Sequence, residues 1–139
     1  MRLWHYKLIP VLPKEMLVSQ WRECIAIKRQ WEKGTLKHRL VSYVMDYLKD
    51  YFMNYVSDLI CELEDRNIKY QEKYLDEIID FCKCKPLLSA LLGYPEHNDQ
   101  YLKQCYYNLE EKHDRGIISD EEWEPIERLY WQEEDKGYY

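Results

Sequence analysis

The sequence predicts an all-α fold, a single compact helical domain over residues 1–139 with an extended N-terminal arm lying on its helices. Three observations predict it. Apolar residues recur at helical spacing in successive stretches, glycine or asparagine stands where those stretches end, and no stretch reads convincingly as a strand. At this length one core can be buried without help from disulfides or metal.

Residues 1–12 are aromatic and aliphatic with no helical period, and Pro10 and Pro13 predict an extended path for them. The first helix is expected over Pro13–Lys33, with proline at its start, Glu15 in its first turn and Gly34 as its stop. Around that helix Leu17, Trp21, Cys24, Ile25 and Lys28 share one face, while Ser19, Arg22, Glu23, Ala26 and Gln30 share the other. The first face reads as core. The second sets a cation beside a carboxylate, flanked by two small residues that let a bulky ligand approach.

A basic connection, Thr35 to Arg39, leads to what the pattern predicts as the longest helix, with Val41, Val44, Met45, Leu48, Phe52, Val56, Leu59 and Leu63 as its stripe and Asn67 as a left-handed stop. Tyr43, Tyr47, Tyr51 and Tyr55 recur every four residues beside the stripe. Such a row shields the core as an amphipathic flank, or else offers a partner surface or base-stacking platform. A short helix around Tyr74–Cys82 follows, then the apolar run Pro86–Leu92. Asn98 is placed to cap a helix bearing Tyr101, Leu102, Cys105, Tyr106 and Leu109, stopped at Gly116. Ser119 to Glu122 has the pattern of a capping box, and Pro125 is expected to interrupt the helix that it opens.

No apolar run reaches membrane-spanning length and no signal-peptide pattern opens the chain, so a cytoplasmic protein is expected. Five cysteines, an odd number mostly beside apolar neighbours, suit reduced thiols. The net charge of −6 conceals an asymmetry: residues 1–39 hold nine Lys/Arg against three acids, and residues 40–139 hold eleven against twenty-three. One basic side on an acidic molecule can orient a polyanion, although two ordinary solvated faces would give the same count. The DNA-binding candidates on that side are Arg2, Arg22, Lys28, Arg29, Lys33, Lys37, His38 and Arg39.

Metal binding fits poorly. Cys82-Lys83-Cys84 is one tight pair with only His97 and Cys105 downstream, not two ligand knuckles. None of His5, His38, His97 and His113 accompanies a nucleophile motif, and a chain with four glycines has no phosphate-binding loop. Trp4 and Trp21 read as core, and His5 and His38 as exposed positions near the basic side.

Met1-Arg2-Leu3-Trp4, followed by Leu12, Leu17 and Trp21-Arg22-Glu23, resembles the N-terminus of the pyrimidine-dimer DNA glycosylase family, the phage-type endonuclease V group. The resemblance covers about the first quarter of the chain. It implies a DNA repair glycosylase with abasic-site lyase activity on double-stranded DNA. Met1 would supply its α-amine as nucleophile, Glu23 would stabilise positive charge on the sugar and move protons, and Arg22 would hold a phosphate. The chemistry suits an amine whose ordinary pKa is about 7.7 to 8.0, since a useful fraction is neutral at physiological pH. It calls for no metal or cofactor. An acidic chain implies a weaker non-specific grip on DNA than a basic relative has, and Glu133, Glu134 and Asp135 interrupt the aromatic C-terminal stretch. The competing expectation is a non-catalytic helical module that binds nucleic acid, a protein partner or a second copy of itself.

Overall fold

Helix α1 spans Lys14–Lys33 and α2 Lys49–Asp65; α3 follows over Glu72–Cys82, α4 over Asp99–Asp114 and α5 over Asp120–Lys136. The computed structural model describes residues 1–83 and 93–136, and among these there is no strand. Cys84, the run Pro86–Leu92 and Tyr138–Tyr139 lie outside the described residues. No described helix is long and apolar enough to cross a membrane.

The ends of these helices follow from local chemistry. Pro13 precedes α1, and its carbonyl accepts the first helical bond, from the Leu17 N–H, at 2.9 Å. At the other end Gly34 takes φ +72°, which lets its N–H reach the Trp31 carbonyl and the Thr35 N–H reach that of Gln30. A Cβ at Gly34 would meet nothing, so the requirement is conformational rather than steric. Asn67 performs the same stop after α2 at φ +57°. Asn98 caps α4 by accepting the Tyr101 N–H at 2.9 Å. Ser119 and Glu122 form the reciprocal capping box of α5, at 3.0 and 3.1 Å.

Three expectations are corrected. The stripe expected as one long helix is broken: Ser42–Asp46 form a 3-10 turn, Tyr47 and Leu48 are extended, and only then does α2 begin, shorter than α1. The break frees Tyr43 and Tyr47 from a helix flank to bond His97 and Glu96, a tertiary gain to which the apolar spacing is blind. Pro125 does not interrupt α5. The carbonyl that its missing N–H would have served belongs to exposed Glu121, which faces water, while Trp123, Ile126 and Tyr130 are buried and hold the helix on both sides of the proline. The arm is extended only at its start, because Tyr6–Val11 wind into a 3-10 segment that contains Pro10. Proline's fixed φ lies within the 3-10 range, so it is compatible with that geometry.

Packing places the arm at the centre. Helix α1 packs on α2 and α3, α2 on α3, and α4 on α5, while the 3-10 segment contacts both α2 and α5. Leu3, Leu8, Ile9 and Leu12 are buried, so the arm supplies core to both groups of helices. Arg66 ties it further, donating to the carbonyls of Leu12 at 2.7 Å and Pro10 at 3.0 Å.

The exposed position expected for His5 is wrong. It is 1% exposed, and His97 is 6% exposed beside it. His5 caps the 3-10 segment, its Nδ1 accepting the Lys7 N–H at 3.1 Å. His97 Nδ1 accepts the Tyr6 N–H at 3.2 Å, which leaves its proton on Nε2 to meet the Tyr43 hydroxyl at 2.8 Å. Burial holds the pKa of His5 down at about 4 and that of His97 at about 3. A group with a lowered folded pKa binds fewer protons folded than unfolded, so its contribution is complete above about pH 6.5 and is lost as the pH falls. Two such groups give a slope of up to about 2.7 kcal/mol per pH unit on the way down towards pH 4. Urea unfolding should therefore show a midpoint that falls steadily from pH 7 to pH 5, with a smaller slope for His97→Gln; a midpoint constant over that range would contradict the buried neutral pair.

Candidate active site

The buried face of α1 carries a polar residue, Gln20, that the apolar pattern conceals. Gln20 is 1% exposed and points at the chain start. Its Oε1 accepts the Trp4 N–H at 2.8 Å, and its Nε2 donates to the Arg2 carbonyl at 2.8 Å and to Glu23 Oε2 at 3.0 Å. Glu23 follows one helical turn later, half-buried, and its Oε1 makes no hydrogen bond among the described residues. The backbone of Arg2 and the carboxylate of Glu23 thus meet at a single amide nitrogen.

Other side chains hold the rest of the arm. The Tyr55 hydroxyl of α2 donates to the Trp4 carbonyl at 2.6 Å and lies 3.3 Å from Gln20 Oε1. From α4, the Tyr101 hydroxyl donates to the Leu3 carbonyl at 2.6 Å. Burial pushes the hydroxyls of Tyr55 and Tyr101 and the thiols of Cys24 and Cys105 upward, so these groups stay neutral. The side chains that hold the chain start are therefore uncharged. Met1 is 36% exposed.

Of the expected cations, Arg22 is exposed next to Glu23 and forms no ion pair among the described residues. Arg2 is half-buried, its guanidinium 5.2 Å from the Trp4 ring centre. Lys28 leaves the basic surface: it is 7% exposed, its Nζ lies 3.3 Å from Glu32, and it stands over the Phe81 ring. Arg29 is exposed but turned to Glu77 at 3.4 Å. Lys33, Lys37, His38 and Arg39 are exposed at and beyond the C-terminal end of α1, whereas Arg22 and Glu23 occupy its middle. The basic residues thus form two groups along one helix rather than a single patch. Trp4 and Trp21 are both buried, as expected.

Sequence reasoning missed Gln20, Tyr55 and Tyr101. A signal for Gln20 was present, because a polar residue stands three positions before Glu23 on the side of α1 that otherwise carries Leu17, Trp21, Cys24 and Ile27. No such signal marks the tyrosines, whose bonds cross 51 and 98 residues of chain. Both nitrogens of His97 are engaged, and among the described residues no group of three or more His, Cys, Asp or Glu could hold a metal ion.

No curated protein and no solved structure matches the chain. Comparison with protein families matches residues 1–76 to the family described as pyrimidine dimer DNA glycosylase. That stretch holds the arm, α1 with Gln20, Arg22 and Glu23, and α2 with Tyr55, and it is more than half of the chain. On this match, over the segment in which the chain start is fastened beside Glu23, the chain belongs to the pyrimidine dimer DNA glycosylase family of DNA repair enzymes.

Proposed function

We propose that the protein is a DNA glycosylase with abasic-site lyase activity, acting on double-stranded DNA through the α-amine of Met1 and the carboxylate of Glu23. The observation that carries this reading is the Gln20 amide nitrogen, which lies within hydrogen-bonding distance of both the Arg2 carbonyl and the Glu23 carboxylate. A nucleophilic amine needs a nearby group that tolerates positive charge and can take a proton. A carboxylate beside the chain start meets both needs.

In the proposed reaction the damaged nucleotide is swung out of the duplex, and the neutral amine attacks C1′ of its sugar. The bond from C1′ to the base breaks, and the base leaves with the bonding electrons and a proton. Opening of the sugar ring gives an imine between C1′ and the terminal nitrogen. Glu23 stabilises the cationic forms along this path and takes the C2′ proton, whereupon the C3′–O bond breaks and the strand is cut. Water then hydrolyses the imine and restores the amine. Arg22, exposed and without an ion pair among the described residues, is available to a backbone phosphate. The exposed Lys33, Lys37, His38 and Arg39 extend that grip along the duplex, whereas Lys28 contributes little while it remains paired with Glu32.

Borohydride reduction of untagged protein on duplexes carrying an abasic site or a pyrimidine dimer tests the reading. A covalent adduct on the Met1 peptide, read by mass spectrometry, is expected. Protein with a verified free terminal amine that forms no adduct on either duplex would refute it in favour of a non-catalytic module. Glu23→Gln should lower strand cleavage by about 10²- to 10⁴-fold with unchanged helix content by circular dichroism; undiminished cleavage would exclude Glu23 from the chemistry. Arg22→Ala should weaken DNA binding and reduce the slope of log affinity against log salt by about one, and a slope equal to that of the wild type would show that Arg22 holds no phosphate.

A further inference from the structure

We infer that Gln20 is a positioning residue for this reaction, fixing the chain start against Glu23 and holding that carboxylate in one orientation; the inference rests on the function proposed above. The orientation of its amide is dictated by its partners. A backbone N–H can only donate, so the group that meets Trp4 at 2.8 Å must be the oxygen. A carbonyl and a carboxylate can only accept, so the group that meets Arg2 at 2.8 Å and Glu23 at 3.0 Å must be the NH₂. Both N–H donors are thus committed, and the oxygen serves Trp4 with Tyr55 as a second, longer neighbour at 3.3 Å. A buried amide with its bonding capacity filled has no alternative pose of equal energy.

Three consequences follow for the site. The segment from Arg2 to Trp4 is held from both ends by one side chain, so the terminal nitrogen, one residue further out, is confined to the neighbourhood of Glu23. The N–H that reaches Glu23 Oε2 holds the carboxylate in one orientation. Because that bond engages Oε2, it is Oε1 that remains for the sugar and its protons. No other residue type does all of this. Glutamate lacks the donors, methionine has the length without the bonds, and asparagine is one carbon short.

The test is carried out on the full chain and has two arms. In the first, free protein is treated with a water-soluble carbodiimide, which joins a carboxylate to an amine only on contact, and the Met1–Glu23 amide is sought by mass spectrometry after digestion. Wild type should form it, and Gln20→Met should form at least tenfold less, with its α-amine equally reactive towards an added acylating reagent. Equal coupling in Gln20→Met, or no coupling in wild type despite a reactive amine, would overturn the inference. In the second arm, single-turnover cutting of an abasic duplex is followed against pH. Gln20→Met and the isosteric Gln20→Glu should each cut at least tenfold more slowly at saturating DNA while binding within twofold of wild type. In Gln20→Glu the acid limb should also rise by about one pH unit or more, because two carboxylates in contact resist joint ionisation. Rates and profiles equal to wild type, or rate and binding lost together with helix content, would reduce Gln20 to a core residue. Coupling as expected, with no borohydride adduct from wild type, would reject the lyase reading and leave the positioning intact.

Discussion

A stretch of irregular backbone buried in a helical core imposes the constraint on which this structure depends. Helices satisfy their own N–H and C=O groups, but residues 2–6 cannot, and an unpaired backbone group away from water costs roughly as much as a lost hydrogen bond. Most of the partners therefore come from side chains. Gln20 serves Arg2 and Trp4, Tyr101 serves Leu3, Tyr55 serves Trp4, and His97 serves Tyr6. Three helices and a loop are thereby committed to one short segment. Their relative placement is set by the need to reach it.

That arrangement explains why so many titratable groups inside the protein are neutral. An acceptor nitrogen on His97 can take the Tyr6 N–H only if the ring is uncharged, and the same holds for His5 and the Lys7 N–H. A proton on either Nδ1 would set donor against donor in a place that water does not reach. The hydroxyls of Tyr55 and Tyr101 work as donors to carbonyls, a role they keep only while protonated. The hub is a set of neutral donors and acceptors, and it leaves Arg22 and Glu23 on the outer side of α1. It also joins the part of the chain that carries the family match to the part beyond it, since Tyr101 and His97 lie outside residues 1–76. The C-terminal helices thus support the chain start from behind.

Charge is distributed in keeping with this division. The acidic residues of the second half sit largely on helices that build and brace the hub, whereas most of the exposed cations of the first half lie along α1 and the loop that follows it. Several positive charges are already spent within the fold, Lys28 on Glu32, Arg29 on Glu77 and Lys7 on Glu133. The basic surface that remains is narrower than the count of lysines and arginines implies.

What the sequence by itself determined is local. The start of α1 at Pro13 and its end at Gly34, the stop at Asn67, the Asn98 cap and the Ser119–Glu122 box each depend on residues a few positions apart, and each stands where the pattern put it. The neighbourhood of Arg22 and Glu23 on one face of a helix was legible for the same reason, and the family to which the chain belongs was legible in the residues around them. Tertiary structure decided the rest. The break before α2, the burial of His5 and the role of Gln20 arise from partners in other elements of the chain, as much as 98 residues away for the Tyr101 bond to Leu3. Apolar periodicity records which side of an element is dry. It carries no record of which polar groups must meet there, because that depends on where the remaining backbone of the arm comes to lie.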